Sequence, residues 1–239
     1  MIIEKPHQAV PRPGPRLFLD SADPAAWERL LPTGIFHGVT TNPLLLERSG
    51  QDCTVANLGR LVRMAAELGV CEIQVQTWGP DAATMVETGE ILAGLGRHGT
   101  AVVIKIPATT DGFRAARLLR DRHHPVTLTA VYEPGQVLAA AGLGAAYAAP
   151  YLGRLDDAGH DGAAVIGAMQ NILRGTGADT RLLVASLRTA NAVVDLAVMG
   201  LDTFTFGPNV ADQLLAADLT TAAAADFQRA ATAMGDKRT

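Results

Sequence analysis

The sequence predicts an α/β fold: a single (β/α)8 barrel of the TIM type with an extra C-terminal helix. Short apolar runs alternate with longer helical patterns from Leu17 to the end of the chain. Such alternation requires parallel pairing and right-handed crossovers, and eight units within 239 residues are what a closed barrel needs. Hydrophobic residues make up 48% and aromatic residues only 5%, which suits helices packed on a sheet. A doubly wound open sheet is the alternative, but no G-x-G-x-x-G follows the first strand.

The strands and helices follow from the apolar pattern. The predicted strands are Leu17–Asp20, Gly38–Thr41, Glu72–Thr77, Ala101–Ile106, Val126–Val131, Ala146–Leu152, Arg181–Ala185 and Thr203–Phe206. The predicted helices are Pro24–Leu31, Thr54–Leu68, Asp81–Leu95, Asp111–Asp121, Pro134–Ala141, Asp161–Leu173, Ala190–Met199, Val210–Ala217 and a terminal helix, Thr220–Met234.

Local chemistry supports several helix boundaries. Pro24 and Pro134 lie in first turns, where a missing N–H is tolerated. Three residues are predicted N-caps: Asp111, Asp161 and Thr189. Three glycines follow apolar helical runs and are predicted to stop them: Gly69, Gly142 and Gly200.

The chain is predicted to have one barrel domain, residues 17–239, preceded by a flexible Pro-rich leader, residues 1–16. The leader has no apolar segment of signal-peptide length, and no run is long enough to span a membrane. A cytoplasmic protein is therefore expected. The net charge of −4 argues against general binding to nucleic acid or an anionic membrane, while leaving room for a small anionic substrate. The cysteines, Cys53 and Cys71, lack metal-ligand spacing and are expected to be buried, inert thiols, so no metal is predicted.

The most informative segment is Ala101-Val-Val-Ile-Lys-Ile-Pro107. Alternation in a strand places Lys105 on the face of Ala101 and Val103, pointing into the barrel near the carboxyl end, where barrel enzymes build their sites. An ammonium among aliphatic groups loses hydration, which favours the neutral amine, a nucleophile able to form an imine with a carbonyl. The alternatives are a lysine paired with a carboxylate inside the barrel, or one extending to the rim.

Polar residues recur near the predicted strand ends: Asp20, Asn42, Gln74, Gln76, Thr127, Thr129, Tyr151 and Ser186. Because these ends meet at one mouth of a barrel, the residues are expected to surround Lys105. For Asp20, a turn role before Pro24 is the alternative. Arg154 and Arg188 follow the sixth and seventh strands, and a guanidinium pair beside Ser186 suits a phosphate dianion. Either arginine alone is more typical of a surface charge.

Five motifs resemble the transaldolase family: Leu17-Phe-Leu-Asp20, Gly38-Val-Thr-Thr-Asn-Pro43, Val103-Ile-Lys-Ile-Pro107, Thr129-Ala-Val-Tyr132 and Ala149-Pro-Tyr-Leu-Gly-Arg154. The resemblance extends from about Leu17 to Leu215 and implies a barrel without a cofactor, acting on sugar phosphates. It implies that Lys105 forms the imine, and that Tyr151, Gln74 and Thr129 hold a proton-relaying water. It further implies that Asp20 and Asn42 contact donor hydroxyls, and that Ser186, Arg154 and Arg188 hold phosphate. Thr41 and Thr127 complete the substrate-binding candidates.

The family has two branches, transaldolases and fructose-6-phosphate aldolases. Gln74 and Tyr151 stand where the resemblance gives the aldolases Gln and Tyr, and transaldolases Glu and Phe, so this sequence is similar to the aldolase branch. Arg188 is a transaldolase-like departure, and Leu187 replaces an expected Phe. The leading hypothesis is therefore a Schiff-base aldolase, and the second a transaldolase. A third is a non-catalytic barrel that binds a phosphorylated ligand, or pyridoxal phosphate through Lys105. The resemblance also implies a homo-oligomer, a pentamer or decamer.

Overall fold

The computed structural model describes residues 14–96 and 99–235. Its strands are β1 (Arg16–Asp20), β2 (Gly38–Thr40), β3 (Glu72–Gln76), β4 (Ala101–Pro107), β5 (Val126–Val131), β6 (Tyr147–Pro150), β7 (Arg181–Leu182), β8 (Val184–Leu187) and β9 (Thr203–Phe206). Its α-helices are α1 (Pro24–Leu30), α2 (Pro43–Arg48), α3 (Val55–Glu67), α4 (Ala82–Ala93), α5 (Thr110–Asp121), α6 (Pro134–Leu143), α7 (Leu152–Asp157), α8 (Gly162–Thr176), α9 (Ala190–Val198), α10 (Pro208–Leu215) and α11 (Asp218–Ala233).

The strands form one parallel sheet that curls into a barrel. The order runs β7-β6-β5-β4-β3-β2-β1-β9-β8, and a bridge between Tyr151 and Ala185 joins the end of β6 to β8. β7 and β8 flank Leu183 and together take the place of the single predicted strand Arg181–Ala185. The predicted (β/α)8 barrel with a terminal helix is confirmed, with its seventh strand interrupted.

Side-chain alternation divides the core into two layers. Ile104 and Ile106 of β4 belong to the large apolar cluster that also contains helix residues such as Leu119. Val103 and Tyr147 belong to a small separate cluster in the barrel interior. Each fully buried aliphatic or aromatic side chain contributes about 1.5–3 kcal/mol. The predicted division of β4, with its bulkier aliphatic residues toward the helices, is therefore confirmed.

Most helix caps follow the predicted chemistry. The side chains of Asp161 and Thr189 accept hydrogen bonds from backbone N–H groups of α8 and α9, as predicted. The prediction for Asp111 was wrong, because the Thr109 hydroxyl caps α5 and Asp111 lies in its first turn. Gly69 and Gly200 have positive φ after α3 and α9, as predicted.

Two other expectations from sequence were wrong. Gly142 lies within α6, and the helix ends instead at Gly144, whose φ is +73°. Cys53 is exposed between α2 and α3, and Cys71 is half-buried before β3, so neither thiol is buried as expected.

The predicted leader is described only in part. Its residues 1–13 lie outside the described residues, whereas its last residue, Arg16, begins β1 and pairs in register with Thr203. The terminal helix α11 has no buried residue. In the described part of the chain, no helix has both the length and the apolarity to cross a membrane.

Candidate active site

A cavity of about 370 Å³ opens at the carboxyl ends of the strands. Its lining includes residues of β1, β3, β4, β5 and β8 together with the segments that follow β2, β5 and β6. The lining residues include Asp20, Asn42, Arg48, Gln76, Lys105, Thr129, Ala130, Tyr132, Tyr151, Arg154 and Ser186. Most of the polar strand-end residues predicted from sequence therefore meet at one mouth.

Lys105 reaches this cavity from β4. Only 4% of the residue is exposed, and the register places Gln76 of β3 on one side and Thr127 of β5 on the other. Among the described residues no carboxylate forms an ion pair with Lys105. The lysine is thus held by packing within a hollow that has room for a small molecule.

Tyr151 follows β6 and is fixed from three sides. Its hydroxyl lies 2.8 Å from the Thr129 hydroxyl, and its ring packs edge-on against Tyr132 with centroids 5.8 Å apart. The Arg154 guanidinium lies over the same ring, 5.6 Å from its centroid. Because a phenol and a threonine hydroxyl can each donate and accept, this pair can hold and orient a water or a substrate hydroxyl.

Asp20 is held by the neighbouring strand β2, and Asn42 is held by the helix α2 that begins beside it. The Thr40 hydroxyl donates to Oδ1 of Asp20 at 2.6 Å and also contacts the Thr205 hydroxyl. Asn42 is the N-cap of α2, and its Oδ1 accepts from Leu45 N at 3.0 Å. Capping uses only the oxygen, so the Asn42 amide keeps N–H donors for a ligand.

Two cavity residues have left-handed backbones although neither is glycine. Ala130 has φ +55° at a register shift in β5, and Ser186 has φ +57° at a register shift in β8. Such conformations cost about 1–3 kcal/mol and persist only where surrounding structure imposes them, typically at functional sites. Each register shift changes the direction of the strand end, so that its side chains face the mouth of the barrel.

The structure separates the two arginines predicted to hold phosphate. Arg154 lines the cavity, whereas Arg188 is paired with Asp157 of α7. The hydrogen bond between these two side chains lowers the pKa of the Asp157 carboxyl and raises the pKa of Arg188, and the attraction between their opposite charges adds a smaller effect in the same directions. A Cβ at Gly153 would lie 2.7 Å from both Arg188 Nε and the Ser186 carbonyl, so glycine permits this close approach.

The lining formed by the described residues leaves out four predicted site residues: Thr41, Gln74, Thr127 and Arg188. Thr41 is buried with its hydroxyl unpaired, and Gln74 and Thr127 bond to each other one layer below the cavity. The lining includes Gln76, which was predicted among the polar strand ends, and adds Arg48 and Tyr132. Tyr132 lies in one of the family motifs. Arg48 carries no such signal, because α2 is too short to show a helical period.

Nowhere in the described residues do three His, Cys, Asp or Glu side chains form a potential metal site.

A lysine-bearing cavity at the carboxyl ends of the strands places this chain in the class of (β/α)8-barrel enzymes. The family model described as Transaldolase/Fructose-6-phosphate aldolase matches residues 17–238. A Coprothermobacter proteolyticus protein named "Probable transaldolase" is 36% identical over 207 residues, 86% of this chain and 91% of that one. A protein of the same name from Aquifex aeolicus is 35% identical over 205 residues, again 86% and 91%. The chain belongs to the transaldolase/fructose-6-phosphate aldolase family and is an enzyme of the aldolase or transferase type.

Proposed function

We propose that the protein is a Schiff-base aldolase that cleaves or forms a ketose phosphate such as fructose 6-phosphate. The products of cleavage, and the substrates of the reverse condensation, are dihydroxyacetone and glyceraldehyde 3-phosphate. The observation that carries the proposal is the position of Lys105, which is buried on the inner face of β4 and lines the cavity. An amine held beside such a hollow is suited to capture a ketone.

In the cleavage direction the Lys105 amine adds to the ketone carbon, and loss of one water gives a protonated imine. Deprotonation of the hydroxyl on the far carbon of the breaking bond releases the aldehyde, and the bonding electrons pass into the imine to give an enamine. Protonation of the enamine carbon and addition of water then return dihydroxyacetone and the free amine. Each step needs a proton donor or acceptor, and no redox partner.

The groups around Lys105 suit these proton transfers. Asp20, a carboxylate on the cavity wall, can accept the substrate hydroxyl proton. The hydrogen-bonded pair Tyr151 and Thr129 can hold the water that relays protons at the imine. Gln74, which bonds to Thr127 behind the cavity wall, is proposed to support the same water from the family resemblance. Asn42 can donate to the hydroxyls of the three-carbon donor.

The phosphate end is proposed to lie near Ser186 and Arg154, both on the cavity wall. Arg48 is a further cation on that wall and makes no ion pair with any described residue. Arg188 would join them after leaving Asp157. Thr41, from a family motif, and Thr127, from the polar strand ends, remain substrate-binding candidates that lie behind the cavity wall.

The test of the proposed function is chemical trapping. Borohydride added with dihydroxyacetone is expected to attach one reduced three-carbon unit to the wild type and none to Lys105→Met. Lys105→Met keeps the length and apolar stem of the side chain, so loss of labelling reports the amine rather than the fold. A labelled Met variant would assign the nucleophile elsewhere.

A second candidate is transfer of the dihydroxyacetone unit to an aldose phosphate. The names of the relatives favour this transaldolase activity, and so does the guanidinium at position 188, where the resemblance makes arginine the transaldolase-like residue. Product analysis separates the two, because a transaldolase consumes fructose 6-phosphate rapidly only when an aldose acceptor such as erythrose 4-phosphate is present. An aldolase releases free dihydroxyacetone without an acceptor.

We also propose that the enzyme works in the cytoplasm as a homo-oligomer, a pentamer or decamer. The support for assembly is the terminal helix α11, which leaves the large apolar side chains Leu219, Phe227 and Met234 exposed.

A further inference from the structure

A chain of buried polar groups runs beneath the cavity, and the mechanism above does not use its lower end. Glu72 and Gln74 lie two residues apart on the inner face of β3. Glu72 is 7% exposed and Gln74 is fully buried. Burying a carboxylate is expensive unless it is hydrogen-bonded, so the partners of Glu72 indicate what it does.

Both carboxylate oxygens of Glu72 accept hydrogen bonds. Gln74 Nε2 donates to Oε1 at 2.8 Å, and the Tyr147 hydroxyl donates to Oε2 at 2.9 Å. Arg16 in turn donates to the Tyr147 hydroxyl, and His37 Nε2 lies 3.8 Å from Oε2. Burial first, and then the charge of Glu72, raise the pKa of Tyr147, so its phenol stays protonated and keeps donating.

The carboxylate decides which way the Gln74 amide points. An ionised carboxylate only accepts, so it requires the NH₂ end of the amide, and the carbonyl end must face away from Glu72. Gln74 Oε1 accordingly accepts from the Thr127 hydroxyl at 2.9 Å. The Thr127 hydroxyl could donate or accept and would not select an orientation without Glu72.

The upper end of this chain, Thr127, lies beside Lys105 in the sheet. Because the Thr127 proton is used by Gln74, the oxygen of Thr127 offers only lone pairs to its other neighbours. Lys105 is the register partner of Thr127 on β4. An acceptor at that position favours a nitrogen that carries a proton, as the protonated imine does.

We infer that Glu72 is a positioning residue: it sets the direction of the hydrogen-bond chain Glu72–Gln74–Thr127, so that an acceptor faces the Lys105 side of the chain. The inference rests on the proposed function, in which Lys105 forms the imine. Glu72 does not line the cavity, so its effect passes through Gln74 and Thr127.

The first test is Glu72→Gln, which keeps the shape but turns an NH₂ group toward Gln74, because the Tyr147 hydroxyl donates to the carbonyl end of the new amide. The expected result is a fall in kcat of about 5- to 20-fold with KM unchanged, because the Gln74 amide then turns over and the direction of the chain is reversed. Borohydride trapping of dihydroxyacetone should persist. The matched control is Thr180→Val, which loses another buried hydrogen bond, to Ala145 O, and should leave kcat unchanged.

The second test is exchange of the two side chains. In Glu72→Gln/Gln74→Glu the amide at position 72 can donate to the carboxylate at position 74, which still accepts from Thr127, so the direction is restored. We expect kcat within about threefold of the wild type. Gln74→Glu alone places two carboxylates side by side, with Arg16, His37 and Tyr147 as the neighbouring titratable groups. One carboxyl must then hold a proton, and loss of that proton as the pH rises would place two negative charges together, which predicts a new fall in activity toward high pH that the exchange removes.

The outcomes separate the two proposals. A wild type that is not labelled by borohydride would overturn the proposed function and this inference with it. A labelled wild type whose kcat is unaffected by Glu72→Gln would overturn the inference alone. A purely structural role predicts a lower unfolding temperature for Glu72→Gln and no recovery of kcat on exchange, and that result would also overturn it.

Discussion

The Arg188 guanidinium donates two hydrogen bonds to the Asp157 carboxylate, one of them 2.9 Å long, while both side chains stay more than half exposed. An exposed pair of this kind contributes little to stability, so a phosphate can replace the carboxylate. The pair therefore holds Arg188 away from the cavity without excluding it from a substrate complex.

Asp157→Asn is expected to lower KM for fructose 6-phosphate about two- to fivefold, because Arg188 no longer has to leave a charged partner. KM for free dihydroxyacetone in the condensation direction should not change. Steady-state kinetics on both substrates measures this. Asp202→Asn, which breaks the comparable Arg181 pair, is the control. A raised KM for the phosphate ester in Asp157→Asn would show that the pair itself builds the site.

Arg48→Ala is expected to raise KM for phosphorylated substrates about 5- to 10-fold, since it removes an unpaired guanidinium from the cavity wall. Arg63→Ala provides the control, because Arg63 is exposed on α3 and does not line the cavity. The loss should shrink as salt is added, because screening weakens the interaction in the wild type. Equal effects on phosphorylated and unphosphorylated substrates would contradict a role in phosphate binding.

How far these residues could be predicted from sequence depends on the range of the interactions that place them. The inward position of Lys105 follows from alternation within one strand, and the caps Asp161 and Thr189 follow from chemistry within one turn. Such local rules were sufficient for the barrel and for most of its mouth.

The features that sequence did not predict depend on distant partners. Arg188 and Asp157 are 31 residues apart, and the bond between Thr127 and Gln74 joins residues 53 apart. No periodicity encodes such pairs. The positive φ of Ala130 was equally hidden, since Thr-Ala-Val-Tyr contains neither glycine nor asparagine to indicate a left-handed residue.

Tyr151→Phe is expected to shift the balance of products from release of dihydroxyacetone toward transfer to an aldose acceptor. Removing the phenol leaves Thr129 without its 2.8 Å partner, so the water needed to hydrolyse the imine is less well held. The ratio of transferred to released product, measured with and without erythrose 4-phosphate, reports the effect. Tyr132→Phe keeps the ring contact with Tyr151 and should leave the ratio unchanged. An unaltered ratio in Tyr151→Phe would remove the hydroxyl from the hydrolytic step.

Ala130→Gly is expected to stabilise the protein by about 0.5–1 kcal/mol, because glycine adopts the observed φ of +55° without strain. Chemical denaturation monitored by circular dichroism measures the change. Ala148→Gly, at a buried position in β6, should instead destabilise by about 1 kcal/mol or more through added chain entropy and a small void. If Ala130→Gly destabilised equally, packing of the methyl group would outweigh backbone strain at this bulge.

Phe227→Ser is expected to weaken self-association. α11 buries nothing against its own barrel, and Phe227 is 74% exposed, so a solitary chain would leave this ring in water. Burying one such side chain at an interface contributes about 1.5–3 kcal/mol, which is repeated at every contact of a symmetric assembly.

Light scattering after size-exclusion chromatography should show a smaller species for Phe227→Ser at equal concentration. Gln228→Ser, next along the helix, should leave the mass unchanged. A wild type that is monomeric at micromolar concentration would mean that α11 contributes to no self-assembly, and its exposed apolar residues would then require another partner.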